Sequence, residues 1–291
     1  MSAYAKISIH RYNEKDHHTS HDLTLAETNS MKQIFKLGLC GLSGRMPQAI
    51  MAILKDQPGA LELVGGTSRS VGIKFSCPIL SLDEMFERAD VVIDFTTPEA
   101  IQAHLDMAVQ NKKPLVLGTT GLESSHMNAI ELAARKIAIL YARNMSLGAN
   151  LMAALVSQAS RIIGNKAQVD MDILEVHHHH KKDAPSGTAH IIAEAMLEGQ
   201  NGAFGRSQHI PWYTGQGERP AGKIGIAVLR SGQKPGEHSA IFSWGQESLT
   251  LTHQATDRSV FAQGALQAAL WLAERSEQPR LYSMGEVLGV A

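Results

Sequence analysis

Cysteine is nearly missing from this chain: Cys40 and Cys77 are the two in 291 residues. They form no CxxC pair and are too few for a disulfide frame, which points to a reducing, cytoplasmic compartment and to two small buried hydrophobes. Net charge is almost absent too, at -1, so no global field draws the chain to nucleic acid or to a membrane surface. Any anion binding must come from local charge. No apolar run is long enough to span a bilayer. The first thirty residues hold no apolar core of a secretory signal, and Glu14, Asp16, Asp22 and Glu27 argue against a transit peptide. No internal repeat is visible. What remains is ordinary for a soluble globular protein, 44% hydrophobic and 19% charged, of a length that suits one large or two modest domains.

Residues 1–30 are polar, rich in histidine and without helical or strand periodicity. They read as a flexible extension, and Met31 is a second candidate start. From there the pattern alternates. Apolar strands are expected at 35–40, 61–65, 91–95, 115–117 and 137–141. Helical spacing is expected at 45–55 and 127–136, with helix starts at Ser81 and at Thr97-Pro98-Glu99. Strands that are apolar throughout, separated by helices, argue for a parallel sheet covered on both faces. After Asn144 the pattern changes. A long helix at 147–163, a strand at 169–176 and a helix at 189–197 precede a glycine-rich loop at 199–222. Strands at 224–229, 239–244 and 249–253 follow without helices between them, so antiparallel or mixed pairing is expected. A helix at 260–274 closes the chain. The expected architecture is α/β: a Rossmann-type doubly wound parallel sheet from residues 31–146 and 257–291, plus a second α+β domain, 147–256, with a mixed or antiparallel sheet.

Gly41-x-x-Gly44-Arg45-Met46 falls between the first strand and the first helix. There a tight turn lets backbone approach a pyrophosphate, and the helix start offers amides and a positive dipole end. Glycine pairs also make plain turns, so position carries this signal. The end of the second strand reads Thr67-Ser68-Arg69. It lacks the acid that grips the ribose of NAD and offers Arg69 to a 2′-phosphate, which favours NADPH over NADH.

The run from Glu175 to Thr188 concentrates chemistry. Four histidines, His177 to His180, and two lysines lead into Asp183-Ala184-Pro185-Ser186-Gly187-Thr188, a helix start. Neighbours on a strand point to opposite faces, so only alternate histidines converge, and no nearby cysteine or spaced His–Glu set completes a metal site. A purification tag sits at a terminus, whereas this run follows a buried strand. The favoured reading is an acid–base and anion site. Ser186 caps, Gly187 leaves the first-turn amides open, and histidine and lysine supply charge and protons.

These residues resemble the 4-hydroxy-tetrahydrodipicolinate (dihydrodipicolinate) reductase family. Its run Glu-x-His-His-x-x-Lys-x-Asp-Ala-Pro-Ser-Gly-Thr-Ala stands intact from Glu175 to Ala189. The similarity continues in Asp94-Phe95-Thr96, Gly118-Thr119-Thr120-Gly121, Asn144-x-Ser146-x-Gly148, Gly217-Glu218-Arg219, Gly236-Glu237-His238 and Arg258. The resemblance implies an NAD(P)H-dependent reductase of a cyclic dicarboxylate in diaminopimelate and lysine biosynthesis, assembled as a homotetramer. It implies His177 as proton donor or acceptor and Lys181 as proton donor. His178, Gly187 and Thr188 would bind substrate. The cofactor would lie against Gly41, Leu42, Ser43, Gly44, Arg45 and Met46, against Arg69, against Gly118, Thr119 and Thr120, and against Ala142, Arg143, Asn144 and Met145. No metal is implied. Departures from the family pattern are Pro47 for a usual glycine, Ser68 for a frequent acid, Arg143 and Met145 beside the nicotinamide, and the first thirty residues. A same-fold amino-acid dehydrogenase and a non-catalytic nucleotide-binding protein are the alternatives.

Overall fold

The structure, a computed structural model, describes residues 33–290 apart from 58, 71, 164–168, 202–209 and 216. The extension expected at residues 1–30 lies outside the described residues. The chain begins β1 (Phe35–Cys40), α1 (Arg45–Asp56), β2 (Leu61–Gly66), α2 (Leu82–Arg88) and β3 (Val91–Asp94). It continues with α3 (Ile101–Gln110), β4 (Leu115–Leu117), α4 (Ser124–Ala134), β5 (Ile139–Tyr141) and α5 (Leu147–Ile163). Next come β6 (Asp170–His177), α6 (Gly187–Asn201), β7 (Trp212–Tyr213), β8 (Ile224–Arg230), β9 (Gly236–Trp244) and β10 (Glu247–Ala255). The described chain ends with α7 (Ser259–Ala273), β11 (Leu281–Tyr282) and α8 (Met284–Leu288).

Six strands form a parallel sheet in the order β11-β5-β4-β3-β1-β2. Its strands are apolar along their length because both faces are covered. On one face Leu37, Leu39, Ile93, Val116 and Leu140 pack with α1 and with Ala262, Ala265, Ala269 and Leu272 of α7. On the other, Val92, Leu115, Leu117 and Ile139 pack with α2, α3 and α4. The chain crosses from β2 on one side of β1 to β3 on the other. The crevice above β1 and β3 is therefore the switch point where such sheets bind ligands.

The second sheet is mixed, in the order β10-β9-β6-β8-β7, with β6 parallel to β8 and antiparallel to β9. Its inner face, Met171, Ile173, Ile224, Ala240 and Phe242, packs on Ile192, Ala193 and Met196 of α6. Glu175 and His177 continue the same face of β6 and are buried too.

Helix α2 starts where the sequence places it. Ser81 Oγ accepts from the Glu84 amide at 3.2 Å, and the Glu84 carboxylate accepts from the Ser81 amide at 3.0 Å, a reciprocal cap. The start at Thr97 differs from expectation. A 3-10 turn, Pro98–Ala100, precedes α3, and the Thr97 side chain makes no capping bond to it. That hydroxyl bonds to Glu99 instead.

Two further differences have a physical origin. Gly199 read as the start of a loop, yet α6 runs on to Asn201. A Cβ on Gly199 would stand 2.3 Å from the Ser157 carbonyl oxygen, so this glycine lets α5 and α6 approach closely rather than ending the helix. Strand β7 also lies inside the expected loop, whose residues 202–209 are outside the described residues. β11 and α8 were not expected. At two and five residues they are too short to show periodicity.

Candidate active site

The turn after β1 is built for close approach. Gly41 has φ +77°, and a Cβ there would lie 2.9 Å from Thr96 Cγ2. The Gly41 amide donates to Thr67 Oγ1 at 3.1 Å, which ties the turn to the end of β2. Gly44 caps α1 with no side-chain hydrogen bond, and the first turn of α1 holds no acid. The helix start therefore keeps open amides and an unopposed dipole end, a fit for a pyrophosphate. Leu42 is buried, Ser43 and Arg45 are exposed, and Met46 is half-buried. Pro47 is buried in the first turn, where its missing N–H is no loss. Arg69 stands exposed beyond β2.

Next to this turn, β3 ends in a buried knot. Asp94 Oδ1 accepts from the Thr96 amide at 2.7 Å and from its hydroxyl at 2.6 Å. Asp94 Oδ2 meets His104 Nδ1 at 2.6 Å. Gly118 follows β4, and a Cβ there would fall 2.1 Å from the Phe95 ring. Thr119 Oγ1 is buried and has no hydrogen-bond partner among the described residues. An orphaned hydroxyl beside the glycine turns is a second feature that suits a bound nucleotide. Thr120 is exposed. Ala142 to Met145 follow β5. The Ala142 amide donates to the Leu117 carbonyl at 3.1 Å, and Met145 is buried against α7.

On the second sheet, His177 ends β6 and is 5% exposed. Its Nδ1 is buried without a hydrogen-bond partner among the described residues, 3.8 Å from Glu175 Oε2. The His238 ring, from β9, meets it edge-on with centroids 4.9 Å apart. Burial lowers the His177 pKa to about 4, helped by the charges of His238, Lys181 and Arg230 and opposed by that of Glu175. His177 is thus neutral at neutral pH in the free protein. Glu175 is 0% exposed. Burial alone would raise its pKa, but the close His238 ring and hydrogen bonds from Ser186 and Arg230 outweigh it and hold the carboxyl at about 2.

His178 also has a buried Nδ1 without a partner among the described residues. Burial lowers its pKa, followed by the charges of Arg258, His180, Lys181 and His179. His179 and His180 are exposed, and their ring centroids lie 3.9 Å apart. The Lys181 ammonium donates to both oxygens of Asp183 at 2.8 Å. Gly187 opens α6, and a Cβ there would meet nothing within 4 Å. Neither packing nor a positive φ calls for a glycine at this place, so the open space itself is the feature. Ser186 Oγ accepts from the Ala189 amide at 3.2 Å, capping as expected. The amides of Gly187 and Thr188 belong to the first turn, which has no intrahelical acceptor.

The nucleotide side and the anion side touch. Asn144 Nδ2 donates to Thr188 Oγ1 at 3.0 Å, and Arg143 pairs with Glu194 of α6. The structure therefore brings His177, Lys181, the Gly187–Thr188 amides and the segment Ala142–Asn144 into one region. The sequence reading missed Glu175, His238, Arg230 and Arg258 as site residues. Glu175 and His177 were legible as a pair, two apart on a strand, but His238 joins them through the register of β9 on β6.

Glu175, His177 and His238 place one donor atom each within 4.8 Å of one another, as do Cys40, Asp94 and His104. Both oxygens of Glu175 already accept from the Ser186 amide, and Arg230 adds a positive charge against Oε1. That occupancy suits a charge network better than a cation site.

The chain is similar to known proteins along most of its length. A family model described as dihydrodipicolinate reductase, N-terminus, matches residues 35–145, and one described as dihydrodipicolinate reductase, C-terminus, matches 148–288. The chain is 40% identical over 255 residues to the 4-hydroxy-tetrahydrodipicolinate reductase of Zymomonas mobilis, covering 88% of this chain and 97% of the relative. It is 44% identical over 274 residues to that of Pseudoalteromonas atlantica, covering 88% and 99%. In fold it is similar to a dipicolinate-bound dihydrodipicolinate reductase from Paenisporosarcina sp. TG-14, with TM-score 0.67, 23% identity and coverage of 87% and 99%.

Proposed function

The chain belongs to the dihydrodipicolinate reductase family, and from that premise we propose how its residues share the work. It is a nicotinamide-dependent oxidoreductase that reduces 4-hydroxy-tetrahydrodipicolinate to tetrahydrodipicolinate, a step of diaminopimelate and lysine biosynthesis. The observation that carries this reading is the 3.0 Å bond from Asn144 to Thr188. It sets the segment Ala142–Met145, where the nicotinamide would lie, against the helix start that would take a substrate carboxylate.

The cofactor, when bound, supplies a hydride. Gly41 to Met46 and the Gly118–Thr120 turn would hold its phosphates and ribose, and Ala142 to Met145 would line the nicotinamide site. The amides of Gly187 and Thr188 bind one substrate carboxylate, with His178 beside it. Such positioning and fixed dipoles account for much of the rate. His177 holds the ring and gives or takes the proton. Buried among cations, it has little proton affinity in the free protein. A dianionic substrate offsets those cations and raises that affinity as it binds. Lys181, released from Asp183, donates a proton; over the whole reaction one hydride and one proton enter and the 4-hydroxyl leaves as water. Closure of the two sheets over the substrate would exclude water.

NADPH is the preferred cofactor in this reading and NADH the weaker one, because Arg69 follows Thr67 and Ser68 with no acid for the ribose. We assign residues 31–146 and 257–291 to the nucleotide-binding domain and 147–256 to the substrate domain. α7 and β11 support this by completing the first sheet. A homotetramer is proposed through the second sheet, where Leu229 is 51% exposed on the face turned away from α6. Two unpaired cysteines support a cytoplasmic setting. No helix among the described residues is long and apolar enough to cross a membrane.

The test couples the upstream synthase to this protein and follows NADPH and NADH oxidation. Oxidation of either, faster with NADPH, is expected; no oxidation with either overturns the proposal. The amino-acid dehydrogenase and non-catalytic alternatives are not favoured by the family matches.

A further inference from the structure

The mechanism above gives the buried carboxylate of Glu175 no task. Building on that mechanism, we infer that Glu175 is a positioning residue. Together with Arg230 it suspends both the loop that carries Lys181 and the helix start that receives the substrate carboxylate, and it sets the charge felt by His177.

The contacts are specific. The Ser186 amide donates to Glu175 Oε1 at 3.2 Å and to Oε2 at 3.1 Å. Ser186 immediately precedes the Gly187 and Thr188 amides, so fixing its peptide aims theirs. Arg230 Nη2 donates to Glu175 Oε1 at 3.1 Å and to the Asp183 carbonyl at 2.7 Å. One carboxylate and one guanidinium thus hold the loop at Asp183 and at Ser186. Both are anchored in adjacent strands, with Glu175 opposite Val228 and His177 opposite Arg230. A third side is closed by His238, whose Nε2 lies 3.0 Å from Ser186 Oγ and 3.6 Å from Glu175 Oε2.

Charge matters here as well as shape. A glutamine of the same size offers one acceptor oxygen, and its NH2 would face either the Ser186 N–H or the guanidinium, donor against donor. Among the described residues, five titratable groups face His177. Glu175 lies on its own strand, His238 on β9, Arg230 on β8, and Lys181 and Asp183 on the loop. Asp183 is exposed and paired with Lys181, so Glu175 is the buried negative charge that favours a proton on His177. Arg230 acts on His177 with the opposite sign.

The experiment uses the full-length chain in the coupled assay, with wild type, Glu175→Gln and Arg230→Gln. Both variants should lose at least tenfold in kcat/KM for substrate, chiefly through KM, while dinucleotide Kd by fluorescence stays within twofold. The limb of the pH profile that reports His177 should move to lower pH in Glu175→Gln and to higher pH in Arg230→Gln. A purely structural role gives no such opposed pair. Wild-type kcat/KM in Glu175→Gln, or limbs that stay put or move together, overturns the inference. If Glu175→Gln does not fold, Arg230→Gln decides alone: an upward limb supports the inference and an unmoved one overturns it. If wild type itself fails to turn over, the proposed function falls separately. The His177 titration in wild type and variants is then read by histidine NMR, with the same opposed shifts expected and their absence decisive.

Discussion

Asn144 Nδ2 and Thr188 Oγ1 stand 3.0 Å apart and join the two halves of the site. Asn144 is itself fixed on its other side, since its Oδ1 accepts from the Ser146 amide at 2.8 Å and its carbonyl accepts from Asn150 at 2.8 Å. An asparagine fixed on both sides therefore holds a threonine in the first turn of α6, whose amides we propose receive the substrate carboxylate. Thr188→Val keeps the shape and removes the hydroxyl. We expect substrate KM to rise about tenfold, equivalent to ~1.4 kcal/mol, with dinucleotide Kd unchanged by fluorescence titration. An unchanged KM would mean that Thr188 serves the substrate through its amide alone.

His177→Gln and Lys181→Ala test the proton transfer. Removing a positioned acid or base costs about a hundredfold to ten-thousandfold. Steady-state assays should show kcat falling on that scale, with dinucleotide Kd within twofold. Near-normal kcat in either variant removes that residue from the proton path.

Arg69 is exposed beyond β2 and has no acidic neighbour at Thr67 or Ser68. Arg69→Ala should raise the KM for NADPH about tenfold and leave that for NADH nearly unchanged, because NADH has no 2′-phosphate to lose. Equal effects on the two would place Arg69 away from that phosphate.

Acid should weaken the fold. Between pH 6.5 and about 4, His177 of the unfolded chain binds a proton that the folded chain refuses. From 4.5 down to about 2 the same holds for Glu175. In both windows the unfolded state binds more protons, so stability falls as pH falls. Each shift corresponds to at most about 3 kcal/mol, and the two share interactions, so they do not simply add. Thermal melts at pH 7.5 and 5.0 should show a lower midpoint at pH 5.0. His177→Gln should shrink that difference.

Gly264 of α7 lies against the loop that carries Met145. A Cβ there would sit 1.8 Å from the Met145 carbonyl oxygen. Gly264→Ala should cost about 1–3 kcal/mol by forcing α7 and the loop apart. It should also weaken dinucleotide binding, because Ala142 to Met145 move with it. A stable variant with unchanged binding would show that the helix shifts without the loop.

The parallel sheet was legible because its strands are buried on both faces and so carry unbroken apolar runs, as in Val91-Val92-Ile93. Ser81 and Glu84 announced α2 through a cap that acts within four residues. Gly199 misled, since a glycine that admits a neighbouring helix looks in sequence like one that ends its own. In the site, Glu175 to Thr188 could be read because strand end, loop and helix start are consecutive. Arg230 and His238 could not be placed, because their positions depend on the registers of β8 and β9 against β6, which are set by tertiary packing.

The placement of α7 bears on the order in which the protein is made. The face of the first sheet formed by Leu37, Leu39, Ile93, Val116 and Leu140 is covered in part by α7, and β5 gains its outer neighbour from β11. Both elements are synthesised after the whole second sheet. At about 5–20 residues per second, a nascent chain spends several seconds or more with that apolar face partly bare. Newly translated chains are therefore most open to chaperones, and to mispairing along β5, after β1 to β5 have been synthesised but before α7 and β11 emerge.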